Sequence, residues 1–378
     1  MQKYSYLIFP YRDAYFSRAY GNVVRDLQMV QAICSLESTH KVFLVNRPVS
    51  IYERIFRRKT KNRQGRVSDS GKLEVIDFTN YDLIAPIFGR KWFEGLYLPY
   101  INLIRDRFEL IAGSTRKVIL DFTPLSDLRV EGFGDDYISW YDLIDNFTKH
   151  NRYSHGEKCW VEKKYSKLYK YKILTAVSFG AAKAVEELSK KSPYVVHNGI
   201  LECSFIRQSV IDKYDFGFMG FITNKFDVEF LYELKRKFPL SRIAVYGDAY
   251  DHAVLKDIKK CADYFGAYHI NDVDNILNSF KVGLIPYKNN LSHDESPIKI
   301  YNYLNARLPV ISTIPYEINI KGVSYLRQSC NICDDELLVI SQYLQGKYEF
   351  DDAEYNEVMS RAKWSVKLAE LLEMVEFK

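Results

Sequence analysis

The run Ser296-Pro297-Ile298-Lys299 sets a proline and a lysine at the start of a helical pattern in a chain of 378 residues. Proline suits the first turn of a helix, where its missing N–H is no loss. The free N–H groups and positive dipole end of that helix, with the Lys299 ammonium beside them, suit a diphosphate. A strand-like run, Lys281 to Pro286, precedes a polar loop containing His293, and Leu308 to Thr313 reads as the strand that follows. Asp142 and Asp145 close another strand-like run, three residues apart, so that one or both can face a cleft. Asp13 lies in the loop PYRDAYFSRAYGN after the first strand, and His197 ends a strand-like run as a satisfied residue. Among six cysteines only Cys330 and Cys333 have CxxC spacing, with no second pair to complete a zinc site, so all are expected as free thiols. No GxGxxG and no GxxxxGK[ST] occurs, which argues against dinucleotide and P-loop chemistry.

The elements that must position these groups alternate short β-rich runs with helical ones, the pattern of parallel sheets with crossover helices. Strands are expected at Tyr4 to Phe9, Lys41 to Val45, Leu73 to Phe78, Lys117 to Phe122, Tyr137 to Asp145, Ile173 to Ser178 and Tyr194 to Asn198. A second series follows at Phe216 to Gly220, Arg242 to Gly247, Lys281 to Pro286 and Leu308 to Thr313. At 47% hydrophobic, the chain is long enough to bury two cores. Asn198-Gly199 is a turn after a strand and marks the junction. The expected division is residues 1–198, residues 199–351, and a last amphipathic helix in 352–378 that returns to the first domain.

The segment from Ser296 to Thr313 resembles the donor-site signature of bacterial GT-B glycosyltransferases, S-x-P-x-K-x-[YF]-E-Y-L-A-x-G-x-P-V-[VI]-x-[ST]. VVHNGI is similar to the V-x-N-G-[VI] at the end of their N-terminal domain, and FGFMG to the G-x-[FVI]-G loop that opens the C-terminal one. WYDLIDNF resembles Y-D-x-x-D-[DN]-F of a subset acting in capsule, exopolysaccharide and teichuronic-acid synthesis. These stretches cover about Tyr137 to Thr313. The resemblance implies an α/β GT-B fold, two Rossmann-like parallel-sheet domains facing a cleft, an acceptor-binding N-terminal domain and a nucleotide-sugar-binding C-terminal one. It implies a UDP- or GDP-sugar as donor substrate, with Lys299 at the phosphates and Asn302 where the family has a ribose-binding glutamate. The E-x7-E pair of the retaining family-4 enzymes falls on Asp294 and Asn302. Donor-binding residues are then expected at Gly220, Lys225, Tyr246, His269, Ser296, Pro297, Lys299, Tyr301 and Asn302, with Gly217 also allowing close backbone approach and His293 a contact to the donor sugar. An inverting enzyme needs a base for the acceptor hydroxyl, and Asp145, Asp142 and Asp13 are the candidates. Asp145 is the base and Asp13 an acceptor-site residue, or the reverse. With no DxD motif, neither a bound metal nor a cofactor is expected.

Charge is uneven: up to Asn198 there are 32 Lys and Arg against 22 Asp and Glu, and from Gly199 there are 21 against 26. The basic half suggests an anionic partner. Arg54–Arg66 carries seven basic residues and no acidic one; Trp92–Phe108 is aromatic and aliphatic; Gly156 to Lys172 interleaves lysines with tyrosines and Trp160. This combination fits an anionic membrane surface and an enzyme whose acceptor is a glycan or a lipid-diphosphate-linked oligosaccharide. No helix-turn-helix, RNP or OB-like pattern supports nucleic acid as a partner. Without an eighteen-residue apolar run or a charged leader followed by an apolar stretch, the expected location is cytoplasmic, peripheral at the inner face of the membrane. The alternatives are a sugar-nucleotide epimerase of the same architecture and a non-catalytic subunit.

Overall fold

A computed structural model of the protein describes residues 2–51, 55, 71–81, 95, 97–126, 129–201 and 213–376. Arg54–Arg66, apart from Ile55, and most of residues 92–96 therefore lie outside the described residues. The chain divides into two compact units.

Unit 1 is built on β1 (Tyr4–Phe9), β2 (Thr39–Val45), β4 (Leu73–Ile76), β6 (Arg116–Asp121), β7 (Tyr137–Leu143), β8 (Ile173–Ala176) and β9 (Tyr194–Val195). They form one parallel sheet in the order β4-β2-β1-β6-β7-β8-β9, beside a small pair of β3 (Val49–Ser50) and β5 (Thr79–Asn80). All of β1 is buried, as a central parallel strand must be when helices cover both faces. Leu7 stands opposite Phe43 on one side and Ile119 on the other.

Unit 2 repeats the plan with β10 (Tyr214–Met219), β11 (Ile243–Tyr246), β12 (Asp263–Gly266), β13 (Phe280–Ile285), β14 (Val310–Ser312) and β15 (Val323–Tyr325). Their order is β12-β11-β10-β13-β14-β15, again parallel. In both sheets the strand order reverses beside the first strand, and ligands of such sheets bind outside the carboxyl ends of the strands at that point.

The structure departs from the expected division in two places. Unit 1 comprises Met1–His197, His293–Glu295 and Lys367–Lys378, so three residues of the loop after β13 belong to it. The single C-terminal helix is two, Asp352–Ala362 and Trp364–Glu376, broken at Lys363, whose backbone is extended. Ile200 holds the break: its N–H donates to the Ala362 carbonyl and its carbonyl accepts from Trp364 N–H. Only the part from Lys367 onward belongs to unit 1, where Leu371 and Leu372 line a small apolar gap with Tyr4, Val118, Ile138 and Trp140.

Candidate functional site

In unit 2 the first strand ends at Met219 and is followed by Gly220, whose φ of +146° favours glycine. A Cβ there would come within 2.9 Å of Lys299 Cε and 3.2 Å of Nζ, so the missing side chain is the space the lysine occupies. Lys299 is the second residue of the helix Ile298–Asn305, and Pro297 is its N-cap. Its Nζ donates to the Tyr287 hydroxyl at 2.5 Å and lies 4.7 Å from the Tyr287 ring centroid and 5.4 Å from that of Phe218. Lys225 Nζ lies 4.5 Å from the same Tyr287 ring centroid. The loop carrying Lys225 is fixed against the end of β13: Asp227 N–H donates to the Pro286 carbonyl (2.8 Å) and Lys288 N–H to the Lys225 carbonyl (2.9 Å). Two ammonium groups thus meet one phenol ring beside a helix N-terminus and a glycine loop. That is an arrangement that attracts anions such as phosphate.

The remaining donor-side candidates make the following contacts. Ser296 lends its carbonyl to Asn198 Nδ2, and Asn302, half-buried, falls three residues after Lys299 on the same helix face. Tyr246 stacks on Phe265 with centroids 4.7 Å apart, and His269 Nδ1 accepts from Asn271 N–H in the turn that follows β12. Two expectations need correction. Tyr301 is 4% exposed and packs in the unit 2 core, which gives its ring a packing role. Gly217 faces the Phe280 ring, which would lie 2.0 Å from a Cβ; this glycine serves packing. The sequence reading also passed over Gly247, where a Cβ would meet the Gly220 carbonyl at 1.7 Å; the strand-then-glycine pattern of IAVYG was the available signal.

In unit 1 the three aspartates separate. Asp142 is buried, clasped by Arg25 Nε (2.7 Å) and Nη2 (2.8 Å) and by the Thr175 hydroxyl (2.6 Å). It is a core ion pair, which removes it from the candidate bases. Asp13 caps the helix Ala14–Tyr20, its Oδ1 accepting from Phe16 N–H at 3.1 Å. Asp145 meets another catalytic side-chain type: its Oδ1 lies 3.1 Å from His293 Nδ1. Glu295 Oε2 is 3.5 Å from the same nitrogen and accepts the His293 peptide N–H at 3.0 Å. His150 stacks on His293 with centroids 4.7 Å apart and planes 21° apart.

His293 reaches this place through Asp294, which sits at φ +57°. The Asp294 carboxylate accepts from Asn146 Nδ2 (2.7 Å) and pairs with Lys149 Nζ (3.0 Å), its carbonyl accepts from Ser178 Oγ (2.5 Å), and Asn146 N–H donates to the His293 carbonyl (3.1 Å). Gly180 makes room, since a Cβ there would come within 2.7 Å of Asp294 Cγ. The position that aligns with the family's first glutamate therefore acts as an anchor. His150 and Glu295 were not singled out from the sequence; the pairing of residue 145 with residue 293 spans 148 positions and leaves no local pattern. His197 Nδ1 is satisfied by the Val177 carbonyl at 3.1 Å, as a strand-end residue should be.

The ligand atoms of Asp145, His150 and His293 lie within 4.8 Å of one another, close enough to ask whether they fit a metal. The fit is poor. The two imidazoles are nearly parallel, so their in-plane lone pairs do not converge, and His150 Nδ1 already accepts from Arg152 N–H at 3.2 Å.

Two doubly wound parallel sheets, each with its polar groups at the carboxyl ends of the strands, define the GT-B fold. The chain is similar to AviGT4, a glycosyltransferase involved in avilamycin A biosynthesis, with a TM-score of 0.59 and 11% identity over 100% of this chain and 97% of that one. It is similar to α,α-trehalose 6-phosphate synthase from Burkholderia multivorans, at TM-score 0.55 and 10% identity over 100% and 98% of the two chains. The lipopolysaccharide outer core galactosyltransferase WaaB matches at TM-score 0.53 and 10% identity over 99% of both. At such identities the likeness is one of fold. No family model matches the sequence, and no curated protein matches it.

Proposed function

We propose that the protein transfers a sugar from a UDP- or GDP-linked donor to a glycan or lipid-diphosphate-linked oligosaccharide acceptor, in bacterial surface polysaccharide synthesis. The observation that carries this reading is the convergence of Lys225 and Lys299 on Tyr287 beside Gly220, at the strand ends where such a fold binds its ligand. A departing nucleoside diphosphate gains charge, and fixed ammonium groups stabilise it. Solved proteins of the same fold include TarM in complex with UDP and UGT89C1 complexed with UDP-L-rhamnose, which supports a nucleotide-linked donor. A thermal-shift panel of UDP- and GDP-hexoses tests it. One donor class should raise the melting temperature of the wild type, and Lys299→Ala should lose most of that rise; no response to any donor would sink the reading.

The acceptor side of the proposal includes attachment to anionic lipid. On the helix His155–Tyr165 and the turn after it, Trp160 is 43% and Tyr169 55% exposed, and Lys163 Nζ lies 5.4 Å from the Trp160 ring centroid. Exposed aromatics among lysines suit a headgroup region. No helix among the described residues is long and apolar enough to cross a membrane. Flotation with anionic vesicles at low salt should carry the protein upward, with Trp160→Ala and Tyr169→Ala together reducing the bound fraction.

A further inference from the structure

We infer that unit 2 carries a second ligand site, a groove that binds a neutral oligosaccharide, at the end of its sheet opposite Lys225 and Lys299. The groove opens at the amino ends of β13 and β14, beside Lys281 and Arg307, and encloses about 710 Å³. That volume is within the range of ligand sites. Its chemistry stands on the groove itself; only its role, holding a stretch of glycan chain on the enzyme, rests on the glycosyl-transfer reading above.

Two helix ends form its walls. The helix Ile298–Asn305 closes with Arg307 N–H donating to the Leu304 carbonyl (2.7 Å) and Leu308 N–H to the Tyr303 carbonyl (2.9 Å). The helix Asp334–Leu344 closes in the same way, with Gly346 N–H donating to the Tyr343 carbonyl (3.1 Å) and Lys347 N–H to the Gln342 carbonyl (2.8 Å). Such a closure puts the residue after the cap in left-handed backbone, where glycine is the usual occupant. Gly346, at φ +68°, follows that rule; Arg307, at φ +51°, carries a side chain there at a conformational cost. Its guanidinium stacks on the Tyr355 ring, 4.4 Å from the centroid, and Nη1 and Nη2 each donate to Asp352 Oδ1 at 3.1 Å. Its carbonyl accepts from the Tyr348 hydroxyl at 3.0 Å. Strained backbone thus holds a half-exposed arginine in one place at the mouth of the groove.

The ligand class follows from the lining. Lys281 Nζ donates to Asp215 Oδ1 at 3.1 Å and Arg307 is paired with Asp352, so both cations bring their own counter-charge and a phosphate or carboxylate gains little there. Hydroxyl groups gain more. The guanidinium and the Gln345 amide donate, the Asp352 carboxylate accepts, and the half-buried rings of Tyr348 and Phe350 offer apolar surface to the C–H face of a sugar ring. These rings belong to a row in which Tyr348 and Phe350 have centroids 5.8 Å apart, and Phe350 and Tyr355 5.3 Å, so the surface is fixed before a ligand arrives. The six residues of β13 put about 20 Å between the groove and the carboxyl end of the strand. A saccharide bound here is therefore a part of the chain remote from the reacting end.

The test titrates the full chain with maltohexaose, chitohexaose and mannohexaose, and with inorganic phosphate and a hyaluronan hexasaccharide as anionic probes, read by saturation-transfer NMR. At least one neutral hexasaccharide should bind with a Kd of about 1 mM or tighter. Arg307→Gly relieves the backbone and removes the guanidinium, and should weaken that binding by at least about tenfold. Gln345→Ala, at an exposed helix end, should weaken it about threefold and carries the test if Arg307→Gly does not fold. Lys299→Ala should bind the hexasaccharide as wild type does while losing its response to sugar nucleotides. No binding of any neutral hexasaccharide, or binding within about twofold of wild type in both groove variants, would overturn the site. Phosphate or hyaluronan binding that Arg307→Gly abolishes, in place of neutral binding, would overturn the ligand class. A wild type that binds a neutral glycan through Arg307 but responds to no sugar nucleotide upholds the groove and sinks the transferase reading.

Discussion

Asp26 and Asp142 are both buried carboxylates of unit 1, and their partners make them different groups. Asp142 has a guanidinium on two oxygens, and removing its charge strands Arg25 in the core. Asp142→Asn should therefore lower unfolding free energy by about 3–5 kcal/mol, read from denaturant melts at neutral pH. Asp26 takes a peptide N–H from Arg12 on Oδ2 at 2.6 Å, and burial pushes its carboxyl up to about 6 against the pull of that hydrogen bond and of the Arg12 charge. Its folded pKa is thus raised above the unfolded one. The native state binds the extra proton, so this contribution to stability is complete below the unfolded pKa and is lost as pH rises from about 4 through about 6. At 1.36 kcal/mol per unit the ionised group is destabilising by about 3 kcal/mol above that window. Asp26→Asn should raise the melting temperature at pH 8, and the gain should shrink on acidification to pH 4. Lys299 was legible as the lysine in the first turn of a helix opened by a proline, and Gly220 and Lys225 through the resemblance of FGFMG and the stretch after it to the glycine loop of GT-B enzymes. It could not show the fate of Asp142, because Arg25 lies 117 positions away.

At the scale of elements, alternating apolar runs announced the central strands of both sheets, and the ends of the elements were less legible. The run from Tyr137 to Asp145 stops as a strand at Leu143, which leaves Asp145 in the turn where it can meet His293. The pattern from Asp352 to Leu372 keeps helical spacing throughout, yet the helix breaks at Lys363, where Ile200 supplies backbone partners that no local pattern encodes. The strand-to-loop transition at Gly220 offers a sharper test of the proposed donor cradle. Gly220→Ala puts a side chain into a positive-φ position and against Lys299 Cε. It should weaken the donor-induced thermal shift by at least about tenfold in apparent affinity, with a stability loss of about 1–3 kcal/mol from backbone strain. Donor affinity equal to wild type would show that Lys299 is not held where the cradle needs it.

At the scale of the molecule, two doubly wound parallel sheets follow from the order of the elements, as the sequence suggested, and the last residues, Lys367–Lys378, belong to unit 1. What the order of elements hides is that unit 1 is assembled from three separate stretches of chain. Leu368 and Leu371, each 2% exposed, show what the last stretch contributes, at about 1.5–3 kcal/mol for each leucine buried. A chain ending at Val366 should melt earlier by calorimetry, with the transition of unit 1 moved more than that of unit 2. The same division governs recombination with related enzymes. A single crossover at Asn198, the obvious seam, would give a hybrid whose first unit carries foreign residues at 293–295 and 367–378. Moving unit 1 intact between chains of this fold has to take three segments together, with Gly180 matched to whatever occupies position 294.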